Sequence, residues 1–272
     1  MSYKITVVSG FWSFLEDPQA VRAESVAAVE PAPCLFMGNR LVTVFGAGGD
    51  TGLATCARLK EQGFTVRAVV RDPSKHVGRF PEGVTVVAGD VTEPASLAAA
   101  CKDATGVVFT ASASSYLGAG AVDRDGVSNV AAAAKDAGVQ RLVLISSAFV
   151  SPGQYFSPVR LILNAVKFGL MDAKFAGEEA LRASGVSYTV IRPGRLSHGP
   201  GGAALMVSQG DVGVTGNAIS RADVAAVAVA ALTADSAQRV TIEIFGAKPA
   251  AAAPEGQLAR IFEGLTVDPP AA

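Results

Sequence analysis

The sequence predicts an α/β protein with a doubly wound, mostly parallel sheet of about seven strands and helices on both faces. Short runs rich in Val, Ile and Leu alternate with Ala-rich helical stretches from residue 41 onward. Such a rhythm is typical of a parallel sheet that is covered on both faces. Glycines follow several helical stretches, as left-handed C-terminal caps require. The chain of 272 residues is long enough to bury a full core.

Seven runs have the length and apolar character of buried strands, and they lie at residues 41–45, 64–70, 84–88, 107–110, 141–146, 187–192 and 240–245. Helical segments separate them, at residues 52–62, 94–103, 122–137, 164–184 and 221–234. The main domain is therefore predicted at residues 41–248, after an N-terminal extension at residues 1–40 and before a linker and C-terminal tail at residues 249–272.

The extension does not follow the βα rhythm. Its aromatic side chains include Phe11, Trp12 and Phe14, and two interpretations remain open. The extension folds onto the domain, which we favour, or it binds a protein partner. The acids Glu16 and Asp17 are unusual for a transit peptide, so the sequence leaves the compartment open between cytoplasm and plastid stroma.

Composition argues against several classes of protein. The net charge of −1 and pI near 6.1 give no electrostatic case for nucleic-acid binding. No uncharged apolar run is long enough for a membrane-spanning helix. The three cysteines, Cys34, Cys56 and Cys101, form no C-x-x-C pair and, with only two histidines, predict no metal site. Unpaired thiols indicate a reducing compartment.

Four glycines crowd a seven-residue window directly after the first predicted strand. A strand, a tight glycine turn and a helix start together bring backbone N–H groups and the positive end of the helix dipole to a pyrophosphate. The window therefore predicts a dinucleotide-binding loop formed by Gly46, Gly48, Gly49, Asp50, Thr51 and Gly52.

The end of the second strand indicates which dinucleotide is bound. An NAD site usually has an acid there, whereas this chain has Arg71, with Lys75 four residues on. Guanidinium donors suit a 2′-phosphate, so NADP is predicted and NAD is less favoured. Asp72 is interpreted as a helix N-cap before Pro73.

Two further strand ends are predicted to line the cofactor. After the third strand, Asp90 and Val91 reach the adenine end, although Asp90 is equally suited to capping its own turn. After the fourth strand, the small residues Thr110, Ala111 and Ser112 permit close approach of the ribose and pyrophosphate.

The ordered motifs "VFGAGGDTG", "VRDPSK", "GDVTEPASL", "GVQRLVLISSA", "EEALRASGVSYTVIRPG" and "ISRADVAAVAVAAL" resemble the atypical short-chain dehydrogenase/reductases. More narrowly, they are similar to the NmrA-like, NAD(P)H-binding group of plants, algae and cyanobacteria. The resemblance covers roughly residues 41–246 and implies a Rossmann fold.

The resemblance also implies catalytic roles. Ser147 matches the family's serine, and Lys174 matches the lysine that binds the nicotinamide ribose and lowers the pKa of a tyrosine four residues earlier. That earlier position is Leu170, so the usual proton donor is absent. Tyr155 is a weaker substitute, because a tyrosine that packs its own loop is the commoner case.

The turn after the sixth strand completes the resemblance. Pro193 and Gly194 match the turn beside the nicotinamide carboxamide, and His198 lies in the glycine-rich loop beyond it. Ser220 is predicted to cap the next helix, and Arg221 and Asp223 receive no chemical role.

Two functions are compatible with these residues. The first is an NADPH-dependent oxidoreductase that acts on a small carbonyl, enone or quinone-like substrate, with Lys174 and Ser147 at the reacting centre. The alternative is a non-catalytic NADP(H)-binding redox sensor, assembly factor or subunit of a photosynthetic or respiratory complex. Lys174, Ser147 and the glycine-rich loop favour the enzyme, whereas Leu170 and the aromatic extension favour the alternative.

Overall fold

The computed structural model describes residues 40–115, 117–166, 168–210, 217–247 and 250–270. Within these residues, eight strands form one sheet in the order β3-β2-β1-β4-β5-β6-β10-β8. All neighbouring pairs are parallel except β10 and β8, which are antiparallel. The strands of the sheet are β1 (Leu41–Phe45), β2 (Thr65–Val70), β3 (Val84–Ala88), β4 (Gly106–Phe109), β5 (Arg141–Ile145), β6 (Tyr188–Pro193), β8 (Leu205–Ser208) and β10 (Val240–Gly246).

Seven α-helices are described, together with a separate pair of two-residue strands, β7 (Leu196–Ser197) and β9 (Ile219–Ser220). The helices are α1 (Asp50–Glu61), α2 (Leu97–Cys101), α3 (Gly126–Asp136), α4 (Pro158–Val166), α5 (Leu170–Ala183), α6 (Arg221–Thr233) and α7 (Gln257–Arg260). The predicted doubly wound sheet is confirmed, and β8 is an additional strand that the sequence pattern did not indicate.

The helices cover both faces of the sheet. On one face, Leu59 of α1 and Val224 of α6 pack in the same buried cluster as Val44 of β1. On the other face, Leu97 of α2 and Leu181 of α5 pack in a second cluster. The Ala-rich composition is explained by these layers, because small side chains allow helices to lie close to the sheet and to each other.

The predicted helix at residues 164–184 is two helices, α4 and α5. Gly169, with φ of +75°, separates them in a left-handed conformation that favours glycine. Similarly, the segment predicted at 122–137 begins with a π-helical turn, Gly120–Asp125, before α3. Local apolar periodicity continues through both breaks, so the sequence pattern did not reveal them.

Several predicted caps are confirmed. The Ser220 hydroxyl accepts the N–H of Asp223 at 2.9 Å and caps α6. The Asp72 carboxylate accepts the N–H of Ser74 at 3.1 Å, ahead of the short 3₁₀ turn Pro73–His76. The glycines that follow α1, α3 and α5 have positive φ values: Gly63, Gly138 and Gly185.

The C-terminal residues pack on the domain rather than lying apart from it. Phe262 is 1% exposed within the cluster that contains α1 and α6. The Asp268 carboxylate accepts hydrogen bonds from the hydroxyls of Tyr188 on β6, at 3.0 Å, and Thr241 on β10, at 2.6 Å. The predicted extension at residues 1–40 lies outside the described residues, except Arg40.

Candidate functional site

A cavity of about 760 Å³ lies at the carboxyl ends of the first four strands of the sheet. Its walls are formed by segments that directly follow β1, β2, β3 and β4. Because β1 and β4 are neighbours while their connections run to opposite sides, this is the topological switch point where doubly wound folds bind ligands. Eleven residues predicted to bind the cofactor line the cavity: Gly46, Gly48, Gly49, Asp50, Thr51, Arg71, Asp90, Val91, Thr110, Ala111 and Ser112.

The glycine window fits a close approach of a ligand to the backbone. Gly46 has φ of +74°, and a Cβ there would overlap the backbone of Ala111 after β4. Gly52 does not line the cavity, and its Cβ would overlap the Gly46 carbonyl, so this glycine serves the packing of α1 on the turn. At Gly49, by contrast, the nearest atom to a Cβ is the Gly46 carbonyl oxygen at 3.5 Å, an ordinary contact, so the packing of the turn does not require glycine there.

The N-terminus of α1 faces this loop without a side-chain cap. The helix begins at Asp50, directly after Gly49. The first N–H groups of a helix have no intrahelical partner, and the helix dipole is positive there. An anion such as a pyrophosphate is the partner these groups favour, so the residues fit a dinucleotide.

At the end of β2, Arg71 lines the cavity and Lys75 does not. The Lys75 ammonium lies 3.2 Å from the Asp72 carboxylate, with its side chain 77% exposed. The next residue, His76, does line the cavity, and its ring packs against Gly48. The charge pairing between Asp72 and Lys75 is local and competes with the predicted role of Lys75 in phosphate binding.

The ends of β3 and β4 are held by their own hydrogen bonds. Asp90 Oδ1 accepts the N–H and hydroxyl of Thr92, at 2.9 and 2.8 Å, so Asp90 caps its turn while also lining the cavity. The Thr110 hydroxyl donates to the Phe45 carbonyl at 2.8 Å. These hydrogen bonds fix the segments that follow β3 and β4, which line the cavity together with the glycine loop.

The family lysine lies beside the cavity in a buried ion pair. Lys174 Nζ is 2.8 Å from Asp123 Oδ1, and the two side chains are 11% and 1% exposed. The other Asp123 oxygen accepts the N–H of Ala113, a cavity residue, at 2.9 Å. Asp123 was not predicted, since it meets Lys174 only where the π-helical turn packs on α5.

The remaining predicted catalytic and nicotinamide residues do not line the cavity. The Ser147 hydroxyl, just after β5, donates to the Ala148 carbonyl at 3.1 Å. Pro193 ends β6 and accepts the Ala148 N–H at 2.9 Å. Gly194 packs against Phe245, where a Cβ would overlap the ring. We call these three residues, at the carboxyl ends of β5 and β6, the second rim.

Leu170, in the position of the family tyrosine, is 6% exposed in a small apolar cluster. Tyr155 does not line the cavity, and the Arg160 guanidinium lies over its ring, 4.7 Å from the centroid. His198 is exposed and lies 4.0 Å from Asp50. Arg221, which received no role from the sequence, lines the cavity.

Two buried cysteines have thiols of low reactivity. Burial raises the pKa of Cys56 to about 12 and, despite the charge of Arg67, that of Cys101 to about 11. Among the described residues, no group of three or more His, Cys, Asp or Glu is arranged to hold a metal ion. In the same part of the chain, every helix falls short of the length and apolar character that crossing a membrane requires.

Known proteins with similar sequences include both reductases and assembly factors. An uncharacterized chloroplastic protein of Arabidopsis thaliana is 35% identical, over 76% of this chain and 76% of that protein. Sanguinarine reductase of Eschscholzia californica is 28% identical, over 76% of this chain and 89% of its own length. Photosystem II assembly factor Ycf39 of Synechocystis is also 28% identical, over 76% of this chain and 63% of its own.

Solved structures share the fold. A putative NAD-dependent epimerase/dehydratase of Bacillus halodurans has a TM-score of 0.69 and 25% identity, over 84% of this chain and all of its own. A short-chain dehydrogenase/reductase of Veillonella parvula, solved with NADP, has a TM-score of 0.62 and 19% identity, over 79% of this chain and 99% of its own.

The NAD(P)H-binding family model matches residues 46–235. This range begins at the first glycine of the cavity loop and includes every strand of the sheet except β1 and β10. The chain therefore belongs to the NAD(P)H-binding family.

Proposed function

We propose that this protein binds NADPH in preference to NADH and reduces a small carbonyl, enone or quinone-like substrate. The observation that carries the proposal is the position of Arg71 in the cavity wall at the end of β2. A site that prefers NAD usually has an acid there. The similarity to a reductase supports the reaction class.

The surroundings of Arg71 support this preference for NADPH. Arg71 is exposed, and within the described residues it forms no ion pair. The adjacent acid, Asp72, is engaged by Ser74 and Lys75, whose hydrogen bonds hold the pKa of its carboxyl below the ordinary value. The guanidinium therefore has its donors available for a 2′-phosphate, which it binds better than an ammonium does.

The residues of this chain also fit a role in binding and proton supply. NADPH, when bound, supplies the hydride. The ion pair with Asp123 holds Lys174 in place, and Lys174 is proposed to bind the ribose hydroxyls. Ser147 stands at the neighbouring rim as a donor to a substrate oxygen. With Leu170 in place of a tyrosine, the proton comes from Ser147 or from water.

A second candidate function is a non-catalytic NADP(H)-binding protein that acts in an assembly. The buried Leu170 favours it, and so does an exposed apolar surface on and beside α4, where Phe156 is 90% and Ile162 is 61% exposed. Exposed apolar surface of this kind is typical of protein contacts. The similarity to a photosystem II assembly factor agrees with this candidate. A protein partner of residues 1–40 belongs to this candidate as well.

The test of the proposed function is nucleotide binding by calorimetry on the wild type and on Arg71→Ala. We expect the wild type to bind NADPH more tightly than NADH. Arg71→Ala should weaken NADPH binding roughly 10- to 100-fold, because charge-assisted hydrogen bonds are lost, and leave NADH binding unchanged. Arg260→Ala is the control, since it removes an exposed guanidinium that does not line the cavity.

A stronger affinity of the wild type for NADH would contradict the NADPH preference. If NADPH binds as expected, its oxidation is then followed by absorbance with a panel of quinones and enones. Turnover with any of them supports the reductase. Full binding without turnover across the panel favours the second candidate.

A further inference from the structure

We propose that Arg221 binds the pyrophosphate of the dinucleotide beside the glycine loop, at the N-terminus of α1. Arg221 is the first residue of α6 and lines the same cavity as Gly48 and Gly49. The inference rests on the proposed cofactor binding, and it adds a cationic ligand that acts on NADPH and NADH alike.

The position of the guanidinium follows from the packing of α6 beside α1. Arg221 Nε lies 3.8 Å from the Asp50 carboxylate, and Asp50 is the first residue of α1. The guanidinium is therefore next to the helix N-terminus that favours an anion. The Ser220 cap fixes the start of α6, so this approach is set by the fold rather than by a free side chain alone.

The negative charge of Asp50 explains why a cation beside the pyrophosphate would favour binding. The Asp50 carboxylate, 56% exposed, stands at the place where the glycine loop presents its N–H groups. A pyrophosphate carries negative charge and would be repelled by an unpaired carboxylate nearby. Arg221 offsets the charge of Asp50 and so removes this repulsion.

The guanidinium also has donor capacity left for a phosphate. Its Nη1 is within 3.2 Å of the Ser197 carbonyl and 3.4 Å of His198 Nε2. Within the described residues, Nη2 forms no hydrogen bond. The side chain is 24% exposed, so it is positioned by neighbours yet open toward the cavity. An arginine in this state suits bidentate binding of phosphate oxygens.

The two arginines that line the cavity are proposed to contact different parts of the dinucleotide. Arg71 stands at the end of β2, where it is proposed to read the 2′-phosphate that only NADPH carries. Arg221 stands at the α1 N-terminus, where it meets the pyrophosphate that both nucleotides carry. This division makes the inference separable from the NADPH preference.

The first experiment compares NADPH and NADH binding by calorimetry in the wild type, Arg221→Ala and Arg221→Lys. We expect Arg221→Ala to weaken both nucleotides by the same factor, roughly 10- to 100-fold. Arg221→Lys keeps the charge without the planar fork and should recover part of the loss. Arg195→Ala is the matched control, because Arg195 is an exposed arginine near the same loop that does not line the cavity.

A competition with 2′-AMP, which has no pyrophosphate, separates the two arginines. Arg221→Ala should leave 2′-AMP binding unchanged, whereas Arg71→Ala should weaken it. Thermal unfolding of each variant checks that the fold is kept, and Arg221→Gln replaces Arg221→Ala if the latter is unstable.

The same substitution, made in a protein that also carries Asp50→Asn, tests whether Arg221 contacts the phosphate or only neutralises the charge of Asp50. If it contacts phosphate, Arg221→Ala still weakens both nucleotides in an Asp50→Asn background. If the double variant binds like the wild type, direct contact is overturned. A wild type that binds both nucleotides while Arg221→Ala binds them equally well also overturns the inference and leaves the proposed function standing. A wild type that binds neither nucleotide removes both.

Discussion

Some residues at the cavity are required by the packing of the fold, and others are available to contact a ligand. Gly46 and Gly52 are required by the close packing of the turn itself, whereas a Cβ at Gly49 would make only an ordinary contact with the Gly46 carbonyl. Arg71 lines the cavity and is proposed to select the nucleotide, whereas Lys75 pairs with Asp72. A glycine pattern thus identifies the loop, but only the packing shows which glycine serves the fold and which faces the ligand.

Beneath the second rim, a buried charge cluster joins β6 to α5. Glu178 is fully buried and receives two hydrogen bonds from Arg192, at 3.0 and 2.6 Å. Burial alone would raise the pKa of Glu178, but the charges of Arg192 and Arg182 and their hydrogen bonds outweigh it and hold the pKa below its ordinary value of 4.5. Glu178 therefore stabilises the folded state as a carboxylate.

We expect Glu178→Gln to lower the free energy of unfolding by about 3–5 kcal/mol, because the buried Arg192 guanidinium loses the carboxylate that accepts two of its hydrogen bonds and keeps Glu243 at 3.2 Å. The contribution of Glu178 is present above pH 4.5, the unfolded value, and is lost as the pH falls toward the lower folded value. Urea unfolding of both proteins at pH 7, 5, 4 and 3.5 measures the difference, which should shrink at low pH.

Glu179→Gln is the control for this effect. Glu179 pairs with Arg182 at 2.5 Å but is 53% exposed, so its loss should cost less than about 1 kcal/mol. Equal losses for the two variants, or a difference that does not depend on pH, would contradict the role given to Glu178.

At the scale of elements, the site depends on how α5 meets the π-helical turn. Gly177 of α5 lies against the backbone of Asp123, and a Cβ there would overlap the Asp123 carbonyl. This close approach brings Lys174 of α5 within reach of Asp123. A small residue on one helix therefore sets the geometry of an ion pair one turn away.

Gly177→Ala should destabilise the protein by about 1–3 kcal/mol, since the backbone of the π-helical turn must move. Urea unfolding at pH 7 measures this change, with Gly153→Ala as the control. A Cβ at Gly153 would have no atom within 4 Å, so that variant should stay within about 0.5 kcal/mol of the wild type. Unchanged stability in Gly177→Ala would show that the turn adapts freely.

The sequence predicts much of the fold and the cofactor end of the site for a clear reason. Apolar runs indicate the strands, and in a parallel sheet their carboxyl ends meet at one edge, so the chain order alone brings Arg71 and Asp90 together. The same reasoning does not reach Arg221 and Asp123, because they approach the cavity only through contacts between helices that are distant in sequence. The predicted contact of Lys75 with the phosphate stays a prediction, because Lys75 pairs with Asp72 and does not line the cavity.

For the whole molecule, the sheet extends past the predicted seven strands, and residues 250–270 pack against it. Half of the site, around the glycine loop, is a well-formed cavity. Around Ser147 and Lys174, which the resemblance predicts to be the family serine and lysine, the position predicted for the proton-donating tyrosine is occupied by Leu170. The fold and the glycine loop are thus those of a dinucleotide-binding protein. Whether a reaction follows depends on which substrate binds at the second rim.

The most direct test of this account is a calorimetric titration of the wild-type protein with NADPH and, separately, with NADH. We expect one NADPH to bind per chain, more tightly than NADH. Absence of binding by both nucleotides would contradict it, and would mean that the cavity at the switch point serves another ligand.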